Sequence, residues 1–265
     1  MKLIHTADWH IGKLLIDRSR LKEQKIVLNE LVKMAEEEAA DVVCIAGDIY
    51  DNGHPSAAAE ELFCHTIKEL SHNGERLVVI IAGNHDKAER LEALIPLARD
   101  HGIIIYGTPK SRISSGHYGK FPVTSLDNGV SSVKIGEETA IFCCLPYVTE
   151  KALGEIVYQN LDADEDNIKS YEEKMQAIYA NFDSDYRNDT INICMSHVFT
   201  LDYEGDSSER STQLGGSYLL DAKVFPNKAQ YIALGHVHKP QRVKGTNGRV
   251  RYSGAILPYH SDEVK

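Results

Sequence analysis

The chain has little with which to cross a membrane, cross-link itself or coat a nucleic acid. Its longest apolar runs, such as Leu77–Ala82 and Ala140–Leu145, fall far short of the roughly 18 residues that a spanning helix needs. The opening Met1-Lys2-Leu3-Ile4-His5 turns polar too early for a secretory leader. Cysteine is sparse: five residues, an odd number, with no Cys-x-x-Cys spacing, which suggests neither a disulfide framework nor a zinc knuckle. Cys143 and Cys144 lie side by side in an apolar run and are read as buried thiols. Positive charge is also short, with 29 Lys and Arg against 39 Asp and Glu and a formal net charge of −10. A histone-like coat would need clustered Lys and Arg to neutralise phosphates, so that class is excluded. An enzyme that grips nucleic acid locally is not, because bound divalent cations would offset part of the negative excess within one cleft. No Gly-x-x-x-x-Gly-Lys-[Ser/Thr] loop and no convincing Gly-x-Gly-x-x-Gly is present, so any ATP used must be held by another chain. These absences describe a soluble, cytoplasmic protein without membrane contact.

What is present is ordinary globular material: 265 residues, 42% hydrophobic and 26% charged, long enough to bury a substantial core. Lys2–Thr6, Val42–Ala46, Leu77–Ala82 and Ile103–Tyr106 are apolar β-type runs. They alternate with helical patterns at about 18–38, 56–70 and 87–100, Ser56 being a candidate N-cap, and this order suggests parallel βαβ units. The second half changes character. Ser132–Ile135 and Thr139–Leu145, joined by Gly136-Glu137-Glu138, read as an antiparallel hairpin. A helix over about 164–182 precedes strands at Ile191–Met195 and Gln230–Leu234. Residues 199–216 are polar and rich in Gly and Ser, as in a long surface loop. Gln241–Lys244 and Arg249–Tyr252 flank an Asn247-Gly248 turn signal. With no repeat, low-complexity tract or clear linker, residues 1–265 are read as one domain containing two sheets.

Five short segments just past apolar strands carry the chemistry. They are Asp8-Trp9-His10, Gly47-Asp48, Gly83-Asn84-His85-Asp86, Ser196-His197 and Gly235-His236-Val237-His238, and they hold five of the twelve histidines. In open α/β sheets ligands bind beyond the carboxyl ends of strands, so these segments can converge on one crevice. Carboxylates, imidazoles and an amide oxygen, without thiolates, suit a two-metal centre. Asp8, His10 and His238 could hold one ion, and Asn84, His197 and His236 a second. Asp48 would bridge them, and a water acidified by both would attack phosphorus. His85 has no metal in this count and could protonate the leaving alkoxide or stabilise the charged transition state. Each piece alone has a plainer reading. Asp-x-His is common by chance, Gly-Asp at a strand end is usually a turn, and Asn84 could simply adopt a left-handed turn. Only the joint pattern argues for a centre. His5, inside the first strand, is read as a core or supporting residue, and Trp9 as packing beside the cleft. His54, His65, His72, His101, His117 and His260 are read as surface or structural.

Together these segments resemble the calcineurin-like metallophosphoesterase superfamily and, within it, the bacterial SbcD nuclease family. The resemblance runs through Ile4-His5-Thr6-Ala7-Asp8-Trp9-His10-Ile11-Gly12, Gly47-Asp48-Ile49-Tyr50-Asp51, Gly83-Asn84-His85-Asp86 and Tyr231 to Gln241. The segments Ser208-Glu209-Arg210 and Leu214-Gly215-Gly216-Ser217 fit as well. It implies an α/β fold built as a four-layer α/β/β/α sandwich of two mixed sheets flanked by helices. It also implies two divalent ions, manganese with magnesium as the alternative. Asp8, His10, Asp48, Asn84, His197, His236 and His238 would be ligands and His85 catalytic. The implied activity is hydrolysis of DNA phosphodiesters in repair, recombination and replication. It would proceed exonucleolytically on duplexes and endonucleolytically on single strands, with the ATPase SbcC as partner.

The resemblance also implies a homodimer through the helices after the second and third motifs, with Leu62, Phe63, Ile67, Leu91, Leu94 and Ile95 as apolar candidates. The plainer reading packs those residues on the sheet beneath. Related chains carry a histidine where Asp51 stands, so Asp51 and His54 are both candidates for its role. Family members usually continue past Ser253–Pro258 into a capping domain and an SbcC-binding segment. The present chain is therefore expected to be the nuclease domain with both segments absent. A phosphodiesterase or phosphatase for small molecules, using the same metals, stands as the alternative. A metal-free scaffold would be expected to have lost ligands, and all seven positions are intact.

Overall fold

Alternation within short apolar strands sets the layers of the molecule. The computed structural model describes residues 1–149, 153, 171–200, 219–259 and 263. Strands β1 (Leu3–Thr6), β2 (Val42–Ala46), β3 (Leu77–Ile81) and β4 (Ile103–Tyr106) form the first sheet in that order. All three pairings are parallel, with His5 opposite Cys44, Cys44 opposite Val79 and Val79 opposite Ile104. This sheet is wholly parallel rather than mixed, because each of its connections carries helix and returns the chain to the same end of the sheet. Every residue of β2 and β3 is buried, as a strand covered on both faces requires. Val43, Ile45, Val78 and Ile80 point outward to α1 (Leu21–Glu37) and α2 (Ala57–Leu70), meeting Leu28, Phe63, Ile67 and Leu70. Cys44, Ala46, Val79 and Ile81 point inward to the second sheet.

The second sheet is mixed. Strands β5 (Gly116–Tyr118), β6 (Phe121–Asp127), β7 (Val130–Ile135), β8 (Glu138–Leu145), β9 (Ile191–His197), β10 (Tyr231–Gly235), β11 (Gln241–Arg242) and β12 (Val250–Tyr252) lie in the order β11-β12-β10-β9-β8-β7-β6-β5. Pairings from β8 through β9 and β10 to β12 are parallel, and the two flanks are antiparallel. Ala140, Phe142, Cys144, Ile193 and Met195 face the first sheet. Ile141, Cys143, Leu145 and Cys194 face α5 (Tyr171–Asp185) through Met175, Tyr179 and Phe182. The result is the expected α/β/β/α sandwich, with Cys143 and Cys144 on opposite faces of one strand, both buried.

Several local expectations shift. The helix read over 87–100 is broken into α3 (Ala88–Glu92), α4 (Ile95–Ala98) and a 3-10 turn, since Pro96 cannot donate within a continuing helix. Ser56 does cap α2, its side chain accepting from Ala59 N at 3.3 Å. The polar stretch from 199 begins as structure: Phe199–Thr200 is buried and pairs in parallel with Leu219–Leu220. The rest of that stretch, with Ser208-Glu209-Arg210 and Leu214–Ser217, lies outside the described residues. So do His260 and residues 164–170 of the expected helix. The Asn247-Gly248 turn is there, with φ of 52° and 74°, but it closes a wider loop between β11 and β12.

Leu62, Phe63, Ile67 and Leu91, read as candidates for self-association, are buried in the outer core of the first sheet, and Leu94 and Ile95 pack against it. All six take part in the chain's own packing, Leu94 and Ile95 with part of their surface exposed. Among the described residues no helix is long and apolar enough to cross a membrane.

Candidate metal centre

Ends of strands from both sheets meet at one place. The loop after β1 is laid against the loop after β2 by a short parallel run of backbone bonds. Asp8 N donates to Gly47 O at 3.0 Å, His10 N to Asp48 O at 3.0 Å and Ile11 N to Ile49 O at 2.8 Å. Asp8, His10, Asp48 and His236 all take positive φ, at 54°, 43°, 50° and 96°. Left-handed backbone costs a non-glycine residue roughly 1–2 kcal/mol, and four such residues at one spot are a sign of function rather than of turn economy. The conformation turns each side chain off its strand direction and into the space between the sheets.

Close backbone approach makes that space. A Cβ on Gly47, whose φ is +91°, would lie 2.9 Å from Gly83 Cα, and one on Gly235 would lie 2.7 Å from His197 Nδ1. Asp86 locks two loops together: its carboxylate accepts from Gly83 N at 2.8 Å, Tyr50 N at 3.0 Å and Ile49 N at 3.1 Å. Burial, and then the charge of Asp48, push the Asp86 carboxyl up to about 6 against the pull of those amides. Gln24, on α1 and fully buried, accepts from Gly12 N at 3.0 Å and donates to His10 O at 2.7 Å. It also donates to the Tyr259 hydroxyl at 3.1 Å, and that hydroxyl donates to Trp9 O. Trp9 itself is packing, its ring edge-on to Phe63 and its Nε1 donating to Thr6 at 2.8 Å.

Two groups of donor atoms result. Asp8, His10 and His238 present atoms all within 4.8 Å of one another, and so do Asp48, His197 and His236. In the first, His10 Nε2 lies 3.1 Å from His238 Nε2. In the second, His197 Nε2 lies 3.1 Å from Asn84 Oδ1 and 3.2 Å from His236 Nδ1. Asp48 Oδ2 faces both groups, 3.7 Å from His10 Nε2 and 3.4 Å from His197 Nε2. Its other oxygen accepts from His85 N at 2.9 Å. The histidines at 236 and 238 do face different groups, although the left-handed φ of His236 means that simple strand alternation is not the cause. His197 is the last residue of β9 rather than part of a loop.

The protonation pattern fits cations. His197 Nδ1 donates to Ala46 O at 2.8 Å, which directs its Nε2 into the centre, 3.1 Å from the Asn84 oxygen. Burial works against charge on His197, but Asp48 outweighs it and the imidazole rises to about 9, held by a proton where a cation would serve. Burial raises Asp8 to about 6, opposed by His197 and His238. Burial also opposes the charge on Asp48, yet His197 and His10 hold it well below the ordinary carboxylate range. His10 and His236 are kept neutral, first by burial. The buried Nδ1 of His10 has no hydrogen-bond partner. A nest of carboxylate, amide and imidazole acceptors with too few protons is what divalent cations neutralise.

His85 lies beside the first group, its ring edge-on to His10 at 4.8 Å. Its Nδ1 donates to Asp51 O at 2.7 Å, which leaves Nε2 available. Asp51 joins His10 and His85 in a third group of donors, but its carboxylate is held by Lys13 Nζ at 2.9 Å. His54 is exposed, and its backbone N donates to Asn52. His5 stays out of the centre: its Nδ1 pairs with the Tyr231 hydroxyl at 3.0 Å, and burial lowers it to about 3. Sequence reasoning missed Gln24, Tyr259, Tyr147 and Glu263. Tyr147 sets its ring against those of His197 and His236. None of these four sits in a motif that would have marked it.

Residues 1–240 match the calcineurin-like phosphoesterase family, and the chain belongs to it. It is 36% identical over 265 residues to the SbcD component of the SbcCD nuclease of Bacillus subtilis. To the SbcD components of Rhodobacter capsulatus and Staphylococcus epidermidis it is 32% and 30% identical, over 273 and 264 aligned positions. Each alignment takes in 100% of this chain but only 63%, 64% and 63% of the relative. The chain thus spans a little under two thirds of the length of the curated relatives it matches.

Proposed function

We propose that residues 1–265 are the nuclease domain of an SbcD-type enzyme, a metal-dependent DNA phosphodiester hydrolase acting in the cytoplasm. The observation that carries this reading is Asp48, one of whose oxygens faces two separate donor groups at 3.7 and 3.4 Å. Asp8, His10 and His238 would hold one ion and Asn84, His197 and His236 the other, with Asp48 shared. A mixed set of imidazole, carboxylate and amide suits manganese, with magnesium as substitute. When bound, the pair would supply positive charge to the phosphate and lower the pKa of a water between them.

The chain's own residues supply the rest. The buried donor set would hold the ions among low-dielectric surroundings, where charge acts strongly on a phosphate. His85, oriented by its Nδ1 bond to Asp51 O, would use Nε2 to hand a proton to the leaving alkoxide. The relatives are named as nuclease subunits; with the family resemblance carried by the five segments, the proposed substrate is DNA, cut exonucleolytically as duplex and endonucleolytically as single strand. The partner is an SbcC-type ATPase, which fits the missing phosphate-binding loop. The capping and docking segments of such enzymes would lie outside this span.

The test is digestion of end-labelled linear duplex and of circular single-stranded DNA with manganese, with magnesium and with chelator. Manganese-dependent cutting abolished by chelator supports the reading. Intact DNA alongside rapid hydrolysis of a nitrophenyl phosphodiester would replace it with a small-molecule phosphoesterase. His85→Ala should retain both ions and lose about 10²–10⁴-fold in cleavage rate, the span of general acid catalysis. Loss of metal together with activity would make His85 structural.

A further inference from the structure

We infer that Glu263 is a positioning residue for His238, so that a side chain beyond β12 is a working part of the centre; this rests on the metal reading above. His238 Nδ1 and Glu263 Oε1 are 2.8 Å apart, with side chains only 12% and 9% exposed. A carboxylate offers acceptors alone, so the proton of this bond belongs to Nδ1. Nε2 is then left as a lone pair, and it is this atom that faces His10 Nε2 at 3.1 Å in the first donor group.

His197 and His85 are oriented through Nδ1 in the same way, but by the backbone oxygens of Ala46 and Asp51. Of these three Nδ1 bonds, that of His238 is the one made to a charged side chain. A carboxylate behind an imidazole fixes its tautomer and raises its basicity as a ligand. The glutamate is itself secured, its Oε2 accepting from Tyr259 N at 2.6 Å. Tyr259 in turn packs edge-on to His10 and His238, at 5.3 and 6.0 Å between ring centres, and Arg20 donates to Pro258 O. Glu263 therefore acts on the group of Asp8, His10 and His238 through His238.

The experiment pairs manganese titration with imidazole nitrogen NMR of the metal-free protein, on wild type, Glu263→Ala and Glu263→Gln. Wild type should bind two ions and show His238 protonated on Nδ1. Glu263→Ala should weaken one ion by about 10–100-fold, leave the other unchanged and let the His238 proton redistribute between its nitrogens. Glu263→Gln keeps an acceptor without the charge, so it should restore the tautomer and recover only part of the affinity. An unchanged tautomer and two unchanged affinities in Glu263→Ala would overturn the assignment. So would equal weakening of both ions in both variants, which would mark Glu263 as a residue of the fold only. Wild type that bound no manganese would overturn the metal reading itself, and this role with it.

Discussion

The two halves of the centre are built from different parts of the molecule. Asn84, His197 and His236 are set by the sheets themselves. His197 ends β9, and its Nδ1 bond reaches Ala46 O at the end of β2, tying one sheet to the other. Gly47 and Gly235 leave no room around its ring, and Phe199 covers His236 at 3.8 Å between ring centres. In the other half Asp8 is placed by backbone, its N donating to Gly47 O at 3.0 Å and its carboxylate accepting from His236 N at 2.9 Å, but His10 and His238 are held in addition by side chains from elsewhere, Gln24 on α1 and Tyr259 and Glu263 beyond β12. The first half is fixed by close-packed backbone, which can only fit or fail. The second is fixed by polar contacts that can be removed one at a time. Asp48 faces both, and the Asp8 carboxylate ties them at the backbone of His236.

That difference is most sharply broken at Asp48. Asp48→Ala should weaken both ions together, each by more than the 10–100-fold typical of losing a supporting partner, as read by metal content after gel filtration. Loss of one ion alone would take the shared role from Asp48 and leave two independent sites.

Gly235→Ala tests the backbone-fixed half. Its Cβ would meet the Ala46 carbonyl and lie 2.7 Å from His197 Nδ1, so either the sheets part or the imidazole moves. Overpacking of this kind costs about 1–3 kcal/mol. The melting temperature should fall, and the ion at Asn84, His197 and His236 should weaken more than its neighbour. A variant with wild-type stability and two intact affinities would show that the crevice tolerates what its geometry forbids.

Legibility from sequence divides along the same line. Gly47-Asp48, Gly83-Asn84-His85-Asp86 and Gly235-His236-Val237-His238 could be read because each is contiguous and ends an apolar run, so that residue type and placement arrive together. The layers were legible for a like reason, since β2, β3 and β8 carry apolar residues on both faces. The supporting side chains were not legible. Gln24 lies in the polar-looking first turns of α1, and its burial depends on Tyr259, 235 positions away. Glu263 follows no motif. Strands β5 and β6 escaped because Gly119, Pro122 and alternating polar residues disguise them as loop. Pro96 did announce the break between α3 and α4, a local signal that helical periodicity overrode.

Gln24 offers the finer break on the side-chain-fixed half. Its amide is fully buried and serves Gly12 N, Trp9 O, His10 O and the Tyr259 hydroxyl at once. Gln24→Ala removes these bonds and takes from Gly12 N its acceptor, and a buried polar group left without a partner costs about 1–3 kcal/mol. Because the loop from Asp8 to Gly12 and the segment from Tyr259 to Glu263 both lose an anchor, the ion at Asp8, His10 and His238 should weaken by a modest factor. The ion at Asn84, His197 and His236 should weaken less, since His197 is fixed through Ala46 O and only the bond from His236 N to Asp8 reaches the loop that α1 supports. Chemical denaturation read beside a two-site manganese titration separates the outcomes. A stability loss with equal weakening of both ions would mean that the halves share one framework after all. A loss confined to the first ion would mean that α1 and the segment beyond β12 tune one metal position while the sheets hold the other.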